Sequence, residues 1–309
     1  MPIISLLIPI YNGEPYIQSC LNSLIIQDTN DIEILFLDDK STDNSLNLIK
    51  HFLFHSKFEG KVLSSKKNRG FYRSLKILLR ISTGTYYHVI GHDDFLSPNY
   101  LEHILKSRGI KKNCDIVFCN TISYNITTKS NEHSFFIEYP YFRGEFFLRN
   151  FFKLQLGNLY VGALKKSSFG INTYLKLEKL GYKKFAGITR DGFLNDHRIL
   201  TYFFSRSREG AVYIENEASF YKGVKPVDRN INQHDGRNLD PIDYSLAYLS
   251  GIMSTLRFDT ASIVMWMHCY YNLFRSCASL CKRKPCLSTF LRSAKSLAVG
   301  FRYLIPEKR

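Results

Sequence analysis

The sequence predicts an α/β protein with a mostly parallel, doubly wound sheet, flanking helices and a helical C-terminal segment. Three observations carry this. Short apolar runs alternate with segments of helical periodicity through residues 3–119. The runs are apolar almost throughout, as strands buried on both faces are. Polar and acidic residues follow three of these runs, at the carboxyl ends where such sheets bind ligands.

In order, Ile3–Ile10 is the first strand and Tyr16–Ile26 the first helix. Ile32–Leu37 is the second strand. Ser41-Thr42-Asp43 is expected to start the second helix, with Leu46, Ile49, Phe52 and Leu53 on one face. Lys61–Ser64 is a short strand, and Gly70–Ile81 a helix that turns Leu75, Leu78 and Leu79 inward. Thr85–Ile90 is the fourth strand. Ser97-Pro98 is expected to cap a fourth helix, before a strand at Asp115–Cys119. The β-α-β-α order makes the sheet mostly parallel. Its carboxyl rim then carries Tyr11-Asn12-Gly13, Asp38-Asp39 and His92-Asp93-Asp94. Residues 120–240 are less regular and rich in Tyr, Phe, Asn and Lys.

With 309 residues, 45% of them hydrophobic and 22% charged, the chain is long enough for one large α/β domain and an appendage. The expected division is a catalytic domain over 1–240, made of halves 1–119 and 120–240, and a basic helical segment over 241–309. The net charge of +15 is unevenly spread. Residues 1–110 hold 12 Lys/Arg against 11 Asp/Glu, whereas residues 251–309 hold 10 against 2. A basic tail of this kind calls for an anionic partner. The seven cysteines have irregular spacing, and Met1-Pro2 leads straight into an apolar run. Reduced thiols in a cytoplasmic protein are expected. Cys277, Cys281 and Cys286 lack a following His/Cys pair at zinc-finger spacing.

Two acidic clusters carry the chemistry. Asp38 and Asp39 precede their helix, so a favourable helix dipole does not account for them as it does for Asp43. Strand-end carboxylates can accept hydrogen bonds from a base N–H or ribose hydroxyls. Asp93 and Asp94 are adjacent carboxylates that repel each other, and a hard cation such as Mg²⁺ or Mn²⁺ is their natural partner.

Together these pieces resemble glycosyltransferase family 2, whose catalytic domain has the Rossmann-like GT-A fold. The resemblance runs over residues 3–105. It rests on Pro9-Ile10-Tyr11-Asn12-Gly13 after the first strand, Asp38-Asp39-Lys40-Ser41-Thr42-Asp43 after the second, Asn68-Arg69-Gly70, Gly84-Thr85-Tyr86, and Asp93-Asp94-Phe95-Leu96-Ser97-Pro98. It implies that Pro9, Tyr11, Asn12, Asp38, Asp39, Asn68 and Gly70 face a nucleotide-sugar donor. It also implies that Asp93, with Asp94 behind it, binds Mn²⁺ or Mg²⁺. The chain departs from the pattern twice. Gly91 stands where the family has the first Asp of Asp-x-Asp, which shifts support toward His92. Leu75-Lys76 stands where many members have an Arg, so Arg73 or Lys76 is expected to serve the phosphates.

The acceptor hydroxyl needs a general base. Asn195-Asp196-His197-Arg198 matches the family's acidic motif best, making Asp196 the expected base and Asp191 the alternate; the bland reading of Asp196 is a helix cap. His234 reads as a surface loop histidine. The Gln-x-x-Arg-Trp motif of processive synthases is absent, and Trp266 lies in another context. Addition of one sugar, with a UDP-sugar as the expected donor, to a glycan or lipid-linked acceptor follows from the resemblance.

From Pro285 onward, Leu287, Phe290, Leu291, Ala294, Leu297, Ala298, Phe301 and Leu304 recur at helical spacing, with Arg292, Lys295 and Arg302 largely off that face. Such a helix suits an anionic membrane surface, and equally a place against the catalytic domain. Ala261–Phe274 is shorter than the roughly 20 residues that span a bilayer, so peripheral attachment on the cytoplasmic face is expected. A nucleotidyltransferase would need a basic, Gly-rich loop after the first strand, and Pro9–Pro15 has one Gly and no basic residue. A nucleic-acid-binding protein is disfavoured by the near-neutral first 110 residues, so no nucleic-acid partner is expected.

Overall fold

A computed structural model describes residues 1–27, 31–135, 141–143, 160–172, 211–224 and scattered helical positions between 267 and 297. The chain divides into two compact units. The first comprises Met1–Arg143, Leu154–Ile171 and Ala211–Asp228; the second comprises Gly144–Lys153, Asn172–Gly210 and Arg229–Arg309.

The first unit opens with β1 (Ile4–Ile10), α1 (Glu14–Ile25), β2 (Ile32–Asp38), α2 (Ser45–His55), β3 (Glu59–Ser64), α3 (Phe71–Ile81) and β4 (Tyr86–Val89). It continues with β5 (Phe95–Leu96), α4 (Tyr100–Lys106), α5 (Arg108–Lys111), β6 (Ile116–Asn125), β7 (Ser130–Phe135), β8 (Tyr141–Arg143), β9 (Tyr160–Lys165), α6 (Lys166–Phe169) and β10 (Ala211–Val224). The sheet order is β3-β2-β1-β4-β9-β6-β10-β5, with β7 on β6 and β8 on β10. Strands β3, β2, β1 and β4 are mutually parallel, β9 is antiparallel to both β4 and β6, and β10 runs parallel to β6.

Every residue of β1 and β2 is buried, because helices cover both faces. Ile4, Leu6, Ile8, Ile10, Ile32, Ile34 and Phe36 join one core with side chains of α1, α2 and α4. Leu7, Leu35 and Leu37 have the opposite parity and are also buried; α3 lies against β1 and β2 and buries Leu75, Leu78 and Leu79. This two-sided burial is the physical cause of the unbroken apolar runs in the sequence.

Three expectations need correction. The second helix begins at Ser45, not at Ser41, because Ser41, Thr42 and Asp43 bond to the turn after β1 instead. Ser97 does not cap α4. The cap position is Asn99, at φ 56°, and the Ser97 hydroxyl accepts from the Ser219 N–H. The strand expected at Asp115–Cys119 runs on to Asn125. The described parts of residues 120–224 are largely strands of the same sheet. β10 is interrupted by a bulge between Glu215 and Ser219, which hides its periodicity.

In the second unit the described positions are helical. Leu273 and Cys277 are buried, the Cys277 thiol donates to the Ser293 carbonyl, and Tyr270 donates to the Leu297 carbonyl. Among the described residues all cysteines are free thiols, and no helix is long and apolar enough to cross a membrane.

Candidate active site

The register of the first three strands sets the site. Ile10 pairs with Asp38 and Asp38 with Ser64, so β1, β2 and β3 end level with one another. The chain leaving each strand therefore enters the same rim.

The turn after β1 and the loop after β2 are bonded together at several points. The Asn12 N–H donates to Ser41 Oγ (3.0 Å) and the Gly13 N–H to Ser45 Oγ (2.8 Å). In return, the Thr42 N–H donates to Asn12 Oδ1 (2.9 Å), and the Asn44 N–H to Glu14 Oε2 (3.0 Å). Asp43 accepts from the Glu14 N–H and from Ser45, and these bonds outweigh burial to hold its carboxyl below the ordinary aspartate range. Asn12 and Lys40 sit at φ 48° and 68°, left-handed conformations that the paired bonds over-determine. Tyr11, beside them, is 45% exposed at the rim.

Asp38 and Asp39 are both buried. Asp39 accepts from the Arg69 N–H with both oxygens, at 2.9 Å each, and from the Gly70 N–H at 2.7 Å. It thus anchors the loop that carries Asn68 and starts α3. Asp38 makes longer bonds, from the Ser41 N–H (3.2 Å) and Ser64 Oγ (3.3 Å). A carboxylate has about four acceptor sites, so both retain capacity for a ligand. Gly70 has φ 82° with open space around it, so conformation rather than crowding requires a glycine there. Asn68 Oδ1 accepts from the Gly70 N–H (3.0 Å). Arg73, Lys76 and Arg80 follow on α3 at helical spacing. Partial burial, then the charges of Arg73 and Arg80, lower the Lys76 pKa.

After β4 the chain turns through Gly91–Asp94. Asp94 is buried, and its two oxygens accept from the Gly91 N–H (3.1 Å) and the Gly223 N–H (3.0 Å). Burial, then the neighbouring Asp93, push its carboxyl well above the usual carboxylate range. Asp93 is the more exposed of the two. A Cβ at Gly91 would lie 2.6 Å from Asp94 Oδ2 and 2.8 Å from Asp93 Oδ1. Both carboxylates therefore close over the bare glycine, in the space a side chain at position 91 would take. The His92 ring packs on Gly13, where a Cβ would come within 2.9 Å of its Cδ2, and so ties this turn to the one after β1.

Asp93, the more exposed carboxylate, could supply an oxygen to a hard divalent cation shared with diphosphate oxygens and water, while backbone N–H groups hold both Asp94 oxygens behind it. Among the described residues no three His, Cys, Asp or Glu side chains cluster to hold an ion unaided. Asp191, Asp196 and His234 lie outside the described residues.

Sequence reasoning missed two sets of residues. Glu33, buried in β2, accepts from Ser5 Oγ (2.5 Å), Thr83 N–H (2.5 Å) and Oγ1 (2.9 Å), and Gly84 N–H (3.2 Å), fixing the entry to β4. A lone Glu in an apolar strand was the available signal. The other set is Phe95, Tyr124 and Tyr221, which cluster next to Asp94 and come from three distant segments.

The model of glycosyl transferase family 2 matches residues 5–165, from β1 through β9. The chain belongs to glycosyl transferase family 2. Among similar family members, the Escherichia coli chondroitin synthase is 26% identical over 236 residues, covering 73% of this chain and 34% of that one. Glycosyltransferase GlyA of Streptococcus pneumoniae is 31% identical over 123 residues, covering 40% and 17%. The chain thus spans about a third of the first relative's length and less of the second's. The fold is shared with S. aureus TarS 1–349 in complex with UDP, at TM-score 0.64, 16% identity and coverage of 98% and 81%. It is shared also with the mannosyltransferase PcManGT from Pyrobaculum calidifontis in complex with GDP-Man and Mn²⁺, at TM-score 0.53, 16% identity and coverage of 98% and 82%.

Proposed function

We propose that this family 2 chain transfers one sugar from a nucleoside diphosphate sugar, with UDP as the nucleotide, to a glycan or lipid-linked glycan. The transfer inverts the anomeric centre. One observation carries the reading: the loops after β1, β2 and β3 are bonded into a single rim, and His92 ties the acidic turn after β4 to it. The nucleotide lies along Pro9, Tyr11, Asn12, Asp38, Asp39, Asn68 and Gly70. Asp38 and Asp39 accept from its base or ribose with the lone pairs left by their protein bonds, and Arg73 and Lys76 face its phosphates. The UDP and UDP-GlcNAc complexes of TarS support the choice of nucleotide.

The acceptor oxygen attacks C1 of the sugar from the face opposite the diphosphate. A C1–O bond forms as the C1–O–phosphate bond breaks, and the nucleoside diphosphate leaves with the bonding pair. Asp196, or Asp191 in its place, takes the acceptor proton. Asp93, with Asp94 behind it, would hold Mn²⁺ or Mg²⁺, which would supply positive charge to the departing diphosphate. The catalytic domain is 1–240, and the basic segment 241–309 attaches the protein to the cytoplasmic, anionic face of a membrane through apolar burial and charge.

A thermal-shift screen of UDP, GDP and TDP with and without Mn²⁺ tests the donor assignment. UDP with Mn²⁺ should stabilise the protein most. Stabilisation by none of the three contradicts the reading.

A further inference from the structure

We propose that Phe95, Tyr124 and Tyr221 form a stacking platform for a pyranose ring of the acceptor, a role that rests on the transferase reading above. The rings are close and ordered. Phe95 and Tyr221 are stacked, with centroids 4.6 Å apart and planes 7° apart. Tyr124 meets Phe95 edge-on at 4.9 Å and 88°. All three are only partly buried, unlike Leu96 and Phe220 beside them, which are core residues.

Strand register explains the separation. Tyr221 pairs with Phe95 across the β10–β5 ladder, while Phe220 pairs with Leu96. Alternation along each strand sends Leu96 and Phe220 into the core and puts Phe95 and Tyr221 on the opposite face. Along β10 and β6, Tyr221 is level with Ile122 and Gly223 with Tyr124, so Tyr124 shares that face. The three rings therefore keep part of their apolar area at the surface of the sheet, where a ligand can cover it.

The platform adjoins the acidic turn. Gly223 lies two residues from Tyr221, roughly 7 Å along a strand. A Cβ on Gly223 would come within 2.1 Å of the Asp93 carbonyl oxygen, so β10 passes that backbone in contact. The loops assigned to the nucleotide leave β1, β2 and β3, at one end of the sheet order, and the platform stands on β10 and β5 at the other. A ligand on the platform therefore approaches Asp93 from the side away from the nucleotide. Sugars fit such a surface because one face of a pyranose presents polarised C–H groups, which meet the negative face of an aromatic ring.

Saturation-transfer NMR on the full chain, with cellotriose and chitotriose as probes, tests the assignment. At least one saccharide should receive saturation from the wild type. Phe95→Leu and Tyr221→Leu keep an apolar side chain and lose the ring face, so each should weaken that affinity by about tenfold, in line with stacking losses on aromatic surfaces. Tyr221→Trp should retain it. UDP-dependent thermal stabilisation should be unchanged in all three variants, which separates this inference from the donor assignment. Should one Leu variant fail to fold, the other decides. No saturation of either saccharide by the wild type, or equal saturation by the Leu variants, overturns the platform even where UDP binds.

Discussion

Asp39→Asn is the perturbation whose outcome follows most directly from the geometry. The wild-type carboxylate satisfies two neighbouring backbone N–H groups with three contacts of 2.7–2.9 Å. Asparagine keeps one acceptor oxygen and turns an NH₂ toward the remaining donor. Leaving a donor unsatisfied costs about 1–3 kcal/mol, and exchanging the charged acceptor for a neutral one costs about 1 kcal/mol more, so a destabilisation of roughly 2–4 kcal/mol is expected. At about 2–4 °C per kcal/mol for a domain of this size, the melting temperature should fall by roughly 5–15 °C. Asp38→Asn is the internal control. Its bonds are 3.2 and 3.3 Å long, and its loss should cost about 1 kcal/mol or less. Thermal unfolding followed by circular dichroism measures both. Equal melting temperatures for the two variants would refute the claim that Asp39 is the anchor of the 68–70 loop.

Three further outcomes are expected. Asp93→Asn should abolish transfer in saturating Mn²⁺ while leaving the melting temperature nearly unchanged, because Asp93 is the more exposed carboxylate of the pair; turnover assays beside a melt check it. Asp196→Asn should cut turnover by about 10²–10⁴-fold with donor binding intact, and a large loss from Asp191→Asn instead would move the base there. For Glu33, burial raises the carboxyl pKa, but hydrogen bonds from Ser5, Thr83 and Gly84 outweigh it and the net shift is downward. The stabilisation is therefore present above the ordinary glutamate pKa of about 4.3 and is lost as pH falls below it. Urea midpoints of wild type and Glu33→Gln should differ at pH 7 and converge toward pH 3.

The central strands were legible in the sequence because burial on both faces leaves an unbroken apolar run, as in Ile4–Ile10 and Ile32–Asp38. The meeting of three strand ends at one rim was legible from their order alone. What each rim side chain bonds was not. Ser41–Asp43 has the composition of a helix start, yet long-range bonds to Asn12 and Glu14 outcompete local capping. Asp39 reads as a free ligand in the sequence, because its partners are backbone N–H groups thirty residues away. β9 and β10 were hidden for a related reason. Their pairing is entirely long-range, and the Glu215–Ser219 bulge breaks the alternation that a period of two would reveal. The closing of Asp93 and Asp94 over Gly91 needed coordinates, since only the absent side chain makes room for both.

The measurement that tests the proposed transfer most directly is NMR of the product formed from an α-linked UDP-sugar and a glycan acceptor. Direct displacement at C1 with an aspartate base requires a β-linked product bearing one added sugar. An α-linked product would contradict the mechanism.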